Sequence, residues 1–598
     1  MPAEPRRLIH PRLLFFLGAL FLLGYQLFFT FDGFNTVFGG DDGMNLLSLH
    51  HHWEIPLRQV ALQALRVVTP EYRPLGGLFY RPMFMIFGYD PLAFRIAIAL
   101  IMLAAIWLVY LLARALEMPR SAAALCCLLF SYNAGTMDFQ YNTGTIYDLL
   151  AFLFYVPALI LYVRGRSSGR PLRLWEMALV LALFGAALDS KEIAVTLPGA
   201  LFLYEAVYRR ADIRTPRILA RQGAFLAALS LLAVFYSRAK VTELSTNSFY
   251  RPRHSISFAL GSYGHYFELL LYRKPESFTI TTTILTMIVL VGLCLLIRSR
   301  AAIFGALFFV CALVPLAPIN HRGGFAAYVA FPGLAIAAAC LLDFAREALV
   351  SRLKLERYRQ AIAIGLFLLV AYEAGRLHIR IRNRLLPYMH QVHHDQREVM
   401  TLMKQRLPDL PPDFRLLLVD NTFPPGDWIL FFLTRMLYSD PTVWLDRPSC
   451  IQGLPDLPSY DLIIHYRPGR IDAVPFRFLG MRWKWEPRAR EITSPVFILT
   501  SQRSDASVHP VTFSPATVAK GQSLTLTVPE IASTQIDVVY RLVTAGKEEV
   551  RRSMGWCALD AQSSCTVPAP ARPGTLIMDW VRPQNGQWRR TVGSLAIH

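Results

Sequence analysis

Acidic residues are scarce in this sequence: 42 Asp and Glu stand against 61 Lys and Arg, a formal net charge of +19. In a water-soluble chain such an excess would point to nucleic acid, but no aromatic-and-glycine nucleic-acid motif accompanies it. Positive-inside loops and anionic headgroups account for it in a membrane protein, so nucleic acid is not expected as a partner. Cysteine is also sparse, eight in 598 residues. Cys126, Cys127, Cys294, Cys311 and Cys340 lie in apolar runs and read as small packing residues, and Cys450 stands alone. Cys557 and Cys565 flank a short polar loop, placed for a hairpin disulfide in an oxidising compartment or for two free thiols. No small-residue cleavage site follows the basic start (Arg6, Arg7, Arg12), so the first apolar segment reads as a retained anchor.

Apolar sequence, by contrast, is abundant. Hydrophobic residues make up 54% of the chain and its mean hydropathy is +0.36, so a polytopic α-helical membrane protein is expected. Runs approach the roughly 20 residues needed to span a bilayer, without the polar face of a soluble helix. About eleven spans result, near residues 13–30, 92–113, 121–137, 146–163, 174–188, 193–208, 222–237, 279–297, 301–317, 325–343 and 360–375. Arginine clusters at 164–173, 209–221 and 346–359 fall on the side of the N-terminus, which places that side in the cytoplasm. Everything after Arg376 then lies outside.

The outer loops hold the chemistry-bearing residues. Asp41 and Asp42 follow the first span directly, and two adjacent carboxylates beside a membrane are costly unless used. The plainer alternative is a turn or helix cap after a Gly pair. Residues 44–66 alternate apolar and basic groups as interfacial helices do. His50, His51 and His52 cannot share a metal from one helix, since neighbours point about 100° apart. Arg73, before a proline, suits a phosphate or a helix end. Asp138 and Asp148 bracket the second outer loop, and Asp148, at the head of a span, also suits helix capping. Asp189-Ser190-Lys191-Glu192 either pairs locally or grips an anion. A loop with Arg251, Arg253 and His254 precedes a second interfacial helix over 256–272, and faces lipid headgroups or a phosphate. His321 and Arg322 stand in the fifth loop.

Together these residues resemble the GT-C class of membrane glycosyltransferases that use polyprenyl-phosphate sugars. The likeness is nearest to the TPR-bearing protein O-mannosyltransferases and their bacterial relatives, and covers about the first 375 residues. It rests on Asp41-Asp42 after the first span, Tyr72-Arg73-Pro74-Leu75 before the second, Asp138 and Asp148 ten residues apart, and Lys191-Glu192 with Pro198 and Tyr204-Glu205 following. Two features depart from the pattern. The basic residue expected before the aromatic Tyr328 stretch is missing, with Arg322 a substitute from the next loop, and no 34-residue TPR period is present.

The resemblance implies transfer of a sugar from a polyprenyl-phosphate donor to a hydroxyl of a protein, lipid or surface glycan. The reaction is a single inverting displacement on the extracytoplasmic face, as in a hexosyltransferase of mannosyltransferase type. Asp41 or Asp42 supplies the base, with Asp41 favoured. Arg73, Lys191, Arg251, Arg253 and Arg322 are candidates for the phosphate, and Asp138, Asp148 and Glu192 for ordering the substrate loops. A divalent cation, Mg or Mn, is compatible with Asp138, though no complete cage is visible. Residues 1–375 form the transferase module on this reading. Residues 376–504 form a charged stem and a small α/β domain, with strands at 415–420 and 460–465 and a helix at 428–438. Residues 505–598 alternate as in an Ig-like β-sandwich. The setting implied is a bacterial plasma membrane and its cell envelope. A flippase for lipid-linked sugars would instead need internal repeats and mid-membrane charges, and a non-catalytic Ig-like scaffold would have no use for the acids.

Overall fold

The computed structural model describes residues 10–49, 73–212, 215–244 and 251–419, and beyond these most of 428–448, 460–472, 490–501 and 508–597. The expectations for Arg6, Arg7, His50 to His52, most of 50–72, Asp420 and Cys450 lie outside the described residues. Proline and small polar caps set the helix starts. Helix α1 (Pro11–Thr30) opens on a proline, where the missing N–H costs nothing. Short α2 (Gly40–Met44) follows, then α3 (Pro74–Phe87) and α4 (Pro91–Ala115), each begun at a proline. Asp90 caps α4 by accepting the Leu92 N–H at 3.0 Å. Next come α5 (Arg120–Ser131), α6 (Ile146–Ser167), α7 (Leu174–Ser190), α8 (Leu197–Tyr208) and α9 (Pro216–Leu244). The interfacial helix expected over 256–272 is α10 (Ile256–Leu270), capped by Ser255. It is followed by α11 (Ile280–Leu296), α12 (Arg300–Ala312), α13 (Phe331–Arg352) and α14 (Arg359–Arg406).

Among the described residues five helical stretches are long and apolar enough to cross a membrane: Arg12–Asn35, Pro91–Ala115, Thr143–Ser167, Ile218–Lys240 and Glu356–Arg406. The chain is a multi-pass membrane protein. Several other expected spans are shorter than their apolar runs, because turns occupy the ends. The stretch from 193 begins as a 3-10 turn (Glu192–Thr196) before α8, and that from 325 begins as Gly324–Ala327 before α13. Pro198 and Pro332 sit at those helix starts and fix the entry. Helix α14 runs unbroken for 48 residues through position 376.

Burial sorts the helices. In the span containing α6, 72% of the apolar window is buried, against 17% for those of α1, α9 and α14. The exposed Leu13, Phe16, Leu231, Phe235 and Leu296 are suited to hydrocarbon rather than water. Helices α12 and α13 approach closely at Gly305 and Gly333. A Cβ on either would meet the other's carbonyl oxygen, at 2.7 and 2.5 Å. Gly333→Ala is therefore expected to destabilise the protein by about 1–3 kcal/mol through overpacking, read as a lower midpoint of thermal unfolding in detergent. Two arginines from the clusters at 164–173 and 346–359 are buried in ion pairs. Arg166 Nε lies 2.7 Å from Glu205, which also accepts the Tyr162 hydroxyl at 2.8 Å, and Arg346 Nη2 lies 2.7 Å from Asp343.

Two compact units emerge. One comprises Met1–Thr36, Leu49–Leu385 and Pro475–Trp485, and the other Val37–Ser48, Leu386–Val474 and Glu486–His598. The second unit contains α15 (Ile429–Tyr438) and a four-stranded sheet. Its strands β1 (Arg415–Val419), β2 (Trp444–Asp446) and β3 (Leu462–Arg467) are parallel, in order β2-β1-β3, with β6 (Val496–Ser501) antiparallel at the edge. Leu416, Leu418 and Ile464 are fully buried in it. The C-terminal strands form two further sheets around one core of Leu524, Leu526, Val538, Leu576 and Met578. Cys557 and Cys565 are joined as a disulfide.

Candidate functional site

In the first unit, four of the sequence candidates interlock as two ion pairs. The turn between α7 and α8 is only a few residues long, so Lys191 and Glu192 point to different neighbours. Lys191 Nζ lies 3.1 Å from Asp148 Oδ2, with Asp148 almost fully buried in the first turn of α6. Glu192 is gripped by Arg73, whose Nη2 donates to Oε1 at 3.0 Å and Oε2 at 2.9 Å, with Nε at 3.2 Å. Such a fork fixes both direction and distance. Arg73 also lies over the Tyr147 ring, 4.9 Å from its centroid. Asp148 makes no helix cap here; its partner is Lys191, which no local pairing within 189–192 would have given. Arg73 itself takes a left-handed conformation, φ 46°, immediately before Pro74. A non-glycine residue held there costs about 1–3 kcal/mol.

Burial alone would raise the Glu192 carboxyl, but Arg73 and then Lys191 outweigh it and hold the group down at about 2. A depressed acid stabilises the fold above its ordinary value and loses that contribution as pH falls. The Arg73–Glu192 pair is therefore expected to persist at neutral pH and weaken from about pH 4.5 towards 2. Thermal unfolding of the protein and of Glu192→Gln across that window checks this: the gap between them should narrow only in acid.

Asp138 and Arg322 belong to loops that meet. Asp138 Oδ2 stands 2.7 Å, and the Phe325 ring 2.6 Å, from where a Gly323 side chain would begin. The Arg322 carbonyl faces His265 Nε2 at 2.9 Å. Burial raises the Tyr266 hydroxyl on α10, with Arg322 acting to lower it and Asp148 to raise it. Arg253 lies over the Phe258 ring at 4.7 Å, and Arg251 is exposed with no ion-pair partner among the described residues. Neither joins the Arg73–Glu192 and Lys191–Asp148 pairs.

Asp41 and Asp42 belong to the second unit. They differ sharply. Asp42 is fully buried and its Oδ2 accepts the Gly39 N–H at 2.7 Å, the helix-cap role read as the plainer alternative. Asp41 is exposed, with its carbonyl bonded to Asn45 Nδ2 at 2.7 Å. Helix α2 rests on α15, where a Cβ on Gly43 would come within 2.2 Å of the Phe432 Cβ. Among the described residues no group of three or more His, Cys, Asp or Glu is placed to hold a metal.

Residues 69–240, which contain Arg73, Asp138, Asp148, Lys191 and Glu192, match the family model described as dolichyl-phosphate-mannose-protein mannosyltransferase. The likeness to that family is confined to this stretch of the chain. No curated protein matches the chain. Among solved structures, ArnT from Cupriavidus metallidurans bound to undecaprenyl phosphate is 16% identical, covering 75% of this chain and 92% of its own at a TM-score of 0.44. The oligosaccharyltransferase AglB from Archaeoglobus fulgidus, in complex with an inhibitory peptide and a dolichol-phosphate, is 11% identical over 97% of each chain, TM-score 0.43. Both likenesses are loose, and no residue role is taken from them.

The matched stretch also contains a residue the motifs did not single out. Arg95, buried near the start of α4, donates to Thr36 Oγ1 at 3.1 Å, Thr143 Oγ1 at 2.7 Å and the Tyr141 carbonyl at 2.8 Å. It thus ties the end of the segment before Asp41 to the loop between Asp138 and Asp148. An arginine inside an apolar span was itself a signal. Arg95→Ala is expected to cost about 3 kcal/mol or more and to lower the yield of folded protein, measured by size-exclusion profile and thermal midpoint. Outside the domain, Asp32 and Arg382 form a buried ion pair that joins the end of α1 to α14. Lone charges in long apolar helices carried no spacing that would pair them.

Proposed function

We propose that the protein transfers one sugar from a polyprenyl-phosphate donor to a hydroxyl acceptor at the outer face of a bacterial plasma membrane. Its N-terminus lies in the cytoplasm and its second unit outside. The observation that carries the reading is the mannosyltransferase-family match over 69–240, on which Arg73, Asp148, Lys191 and Glu192 interlock. In the reaction the acceptor oxygen bonds to the anomeric carbon as the bond from that carbon to the phosphate oxygen breaks. The acceptor proton passes to the Asp41 carboxylate, which is exposed where Asp42 is buried and caps the helix start. Attack from the face opposite the phosphate inverts the anomeric centre.

The departing phosphate needs fixed positive charge, and Lys191 is suited to supply it. Its ammonium has three N–H donors, of which Asp148 engages one side. Arg73 is held by Glu192 and acts by keeping the loop in place. The test is donor turnover by purified protein. Release of polyprenyl phosphate from polyprenyl-phosphate mannose or glucose, with an inverted product, is the expected result. No release with either donor and a panel of peptide, lipid and glycan hydroxyls would end the reading.

A further inference from the structure

A groove of about 740 Å³ opens beside α10, and neither Lys191 nor Asp148 lines it. It is lined by Ser257, Phe258, His265 and Glu268 of α10, by Glu276 and Phe278 of the following loop, and by His321 of the fifth outer loop. Its volume is that of an ordinary small-molecule site, about 300–1,000 Å³. One wall is a ladder of flat groups. Arg253 lies over Phe258, Phe258 stacks on His321 with ring centroids 5.6 Å apart, and His321 stacks on His265 at 4.6 Å and 11°. Stacking occupies the faces of these rings and leaves their edges for the groove.

The edges are the informative part. His265 uses Nε2 on the Arg322 carbonyl, leaving Nδ1, and neither nitrogen of His321 has a hydrogen-bond partner among the described residues. Glu268 accepts the Phe278 N–H through Oε1 at 2.8 Å, and its Oε2 takes no hydrogen bond among the described residues. An anion is disfavoured, because Glu268 and Glu276 both line the groove. Burial, then His265, also lowers His321, so its ring is neutral at pH 7. Imidazole edges, a carboxylate and hydroxyls donate and accept in alternation, and Phe278, Pro275 and Ile280 add apolar contact.

That mixture matches the alternating hydroxyls and C–H faces of a sugar. We propose that the groove is a binding subsite for a neutral oligosaccharide, which serves as the acceptor. Only the acceptor role rests on the transferase reading above; binding stands apart from it.

The experiment uses the full chain in detergent with mannotriose, maltotriose and cellotriose as probes and a Ser/Thr-rich peptide as competitor. Saturation-transfer NMR should detect at least one trisaccharide, and Glu268→Gln and His321→Ala should each weaken it fivefold or more. Glu268→Gln keeps an oxygen for the Phe278 N–H, so it distinguishes lost recognition from lost folding. In turnover assays the same variants should raise the acceptor KM at least fivefold with little change in donor KM. Trisaccharide binding that both variants leave intact would overturn the subsite. So would peptide binding that the variants weaken while no trisaccharide binds. Trisaccharide binding without any donor turnover would keep the subsite and reject the transferase reading instead.

Discussion

Asp41→Asn is expected to slow release of polyprenyl phosphate by about 10²–10⁴-fold, the range lost with a positioned general base. Asp42→Asn should do far less. An amide oxygen can still accept the Gly39 N–H that Asp42 now takes at 2.7 Å, so that variant chiefly loses charge at a helix start, worth about 0.3–1 kcal/mol. The double variant should be no slower than Asp41→Asn alone. Initial rates under saturating donor, with the thermal midpoint measured alongside, separate the outcomes. A fast Asp41→Asn enzyme would remove the proposed base, and an inactive but well-folded Asp42→Asn enzyme would transfer the role to its neighbour.

Lys191→Ala carries the second large effect, about 10²–10³-fold in turnover, as for loss of one donor to a developing anion. It also leaves the Asp148 carboxylate, almost fully buried, without its counter-charge. Orphaning one member of a buried pair costs about 3–5 kcal/mol. Stability and chemistry can be separated by pairing Lys191→Ala with Asp148→Asn. The double variant removes the stranded charge and should recover most of the thermal midpoint while turnover stays low. Recovery of both would make Lys191 a structural partner only. Lys191→Arg should restore part of the rate, since a guanidinium carries the charge but not the compact shape of an ammonium.

Much of this organisation was legible before any coordinates. Run length pointed to the helical membrane part, and the alternation read as strands at 523–528, 536–543 and 575–581 corresponds to Ser523–Thr527, Gln535–Thr544 and Gly574–Pro583. The Cys557–Cys565 disulfide is one of the two readings those neighbouring cysteines allowed. What the pattern could not give was pairing at a distance. Nothing local says that Lys191 takes Asp148 while its neighbour Glu192 takes Arg73, because both choices depend on how three helices pack. Nor could spacing split Asp41 from Asp42, whose difference arises from one backbone turn at Gly39. The span at 360–375 and the helical spacing after 376 were both legible, but not that they form one unbroken α14. Its composition changes from apolar to charged near 376, but a helix needs only its backbone to continue.

The seat of α2 on α15 has a consequence for trimming the protein. A chain cut back to Arg406 would retain the five long apolar stretches of the described residues yet lose Phe432, the floor against which Gly43 is pressed. The acids would then hang from an unsupported tether, and a minimal version made by discarding the residues beyond Arg406 should be inert for mechanical rather than chemical reasons.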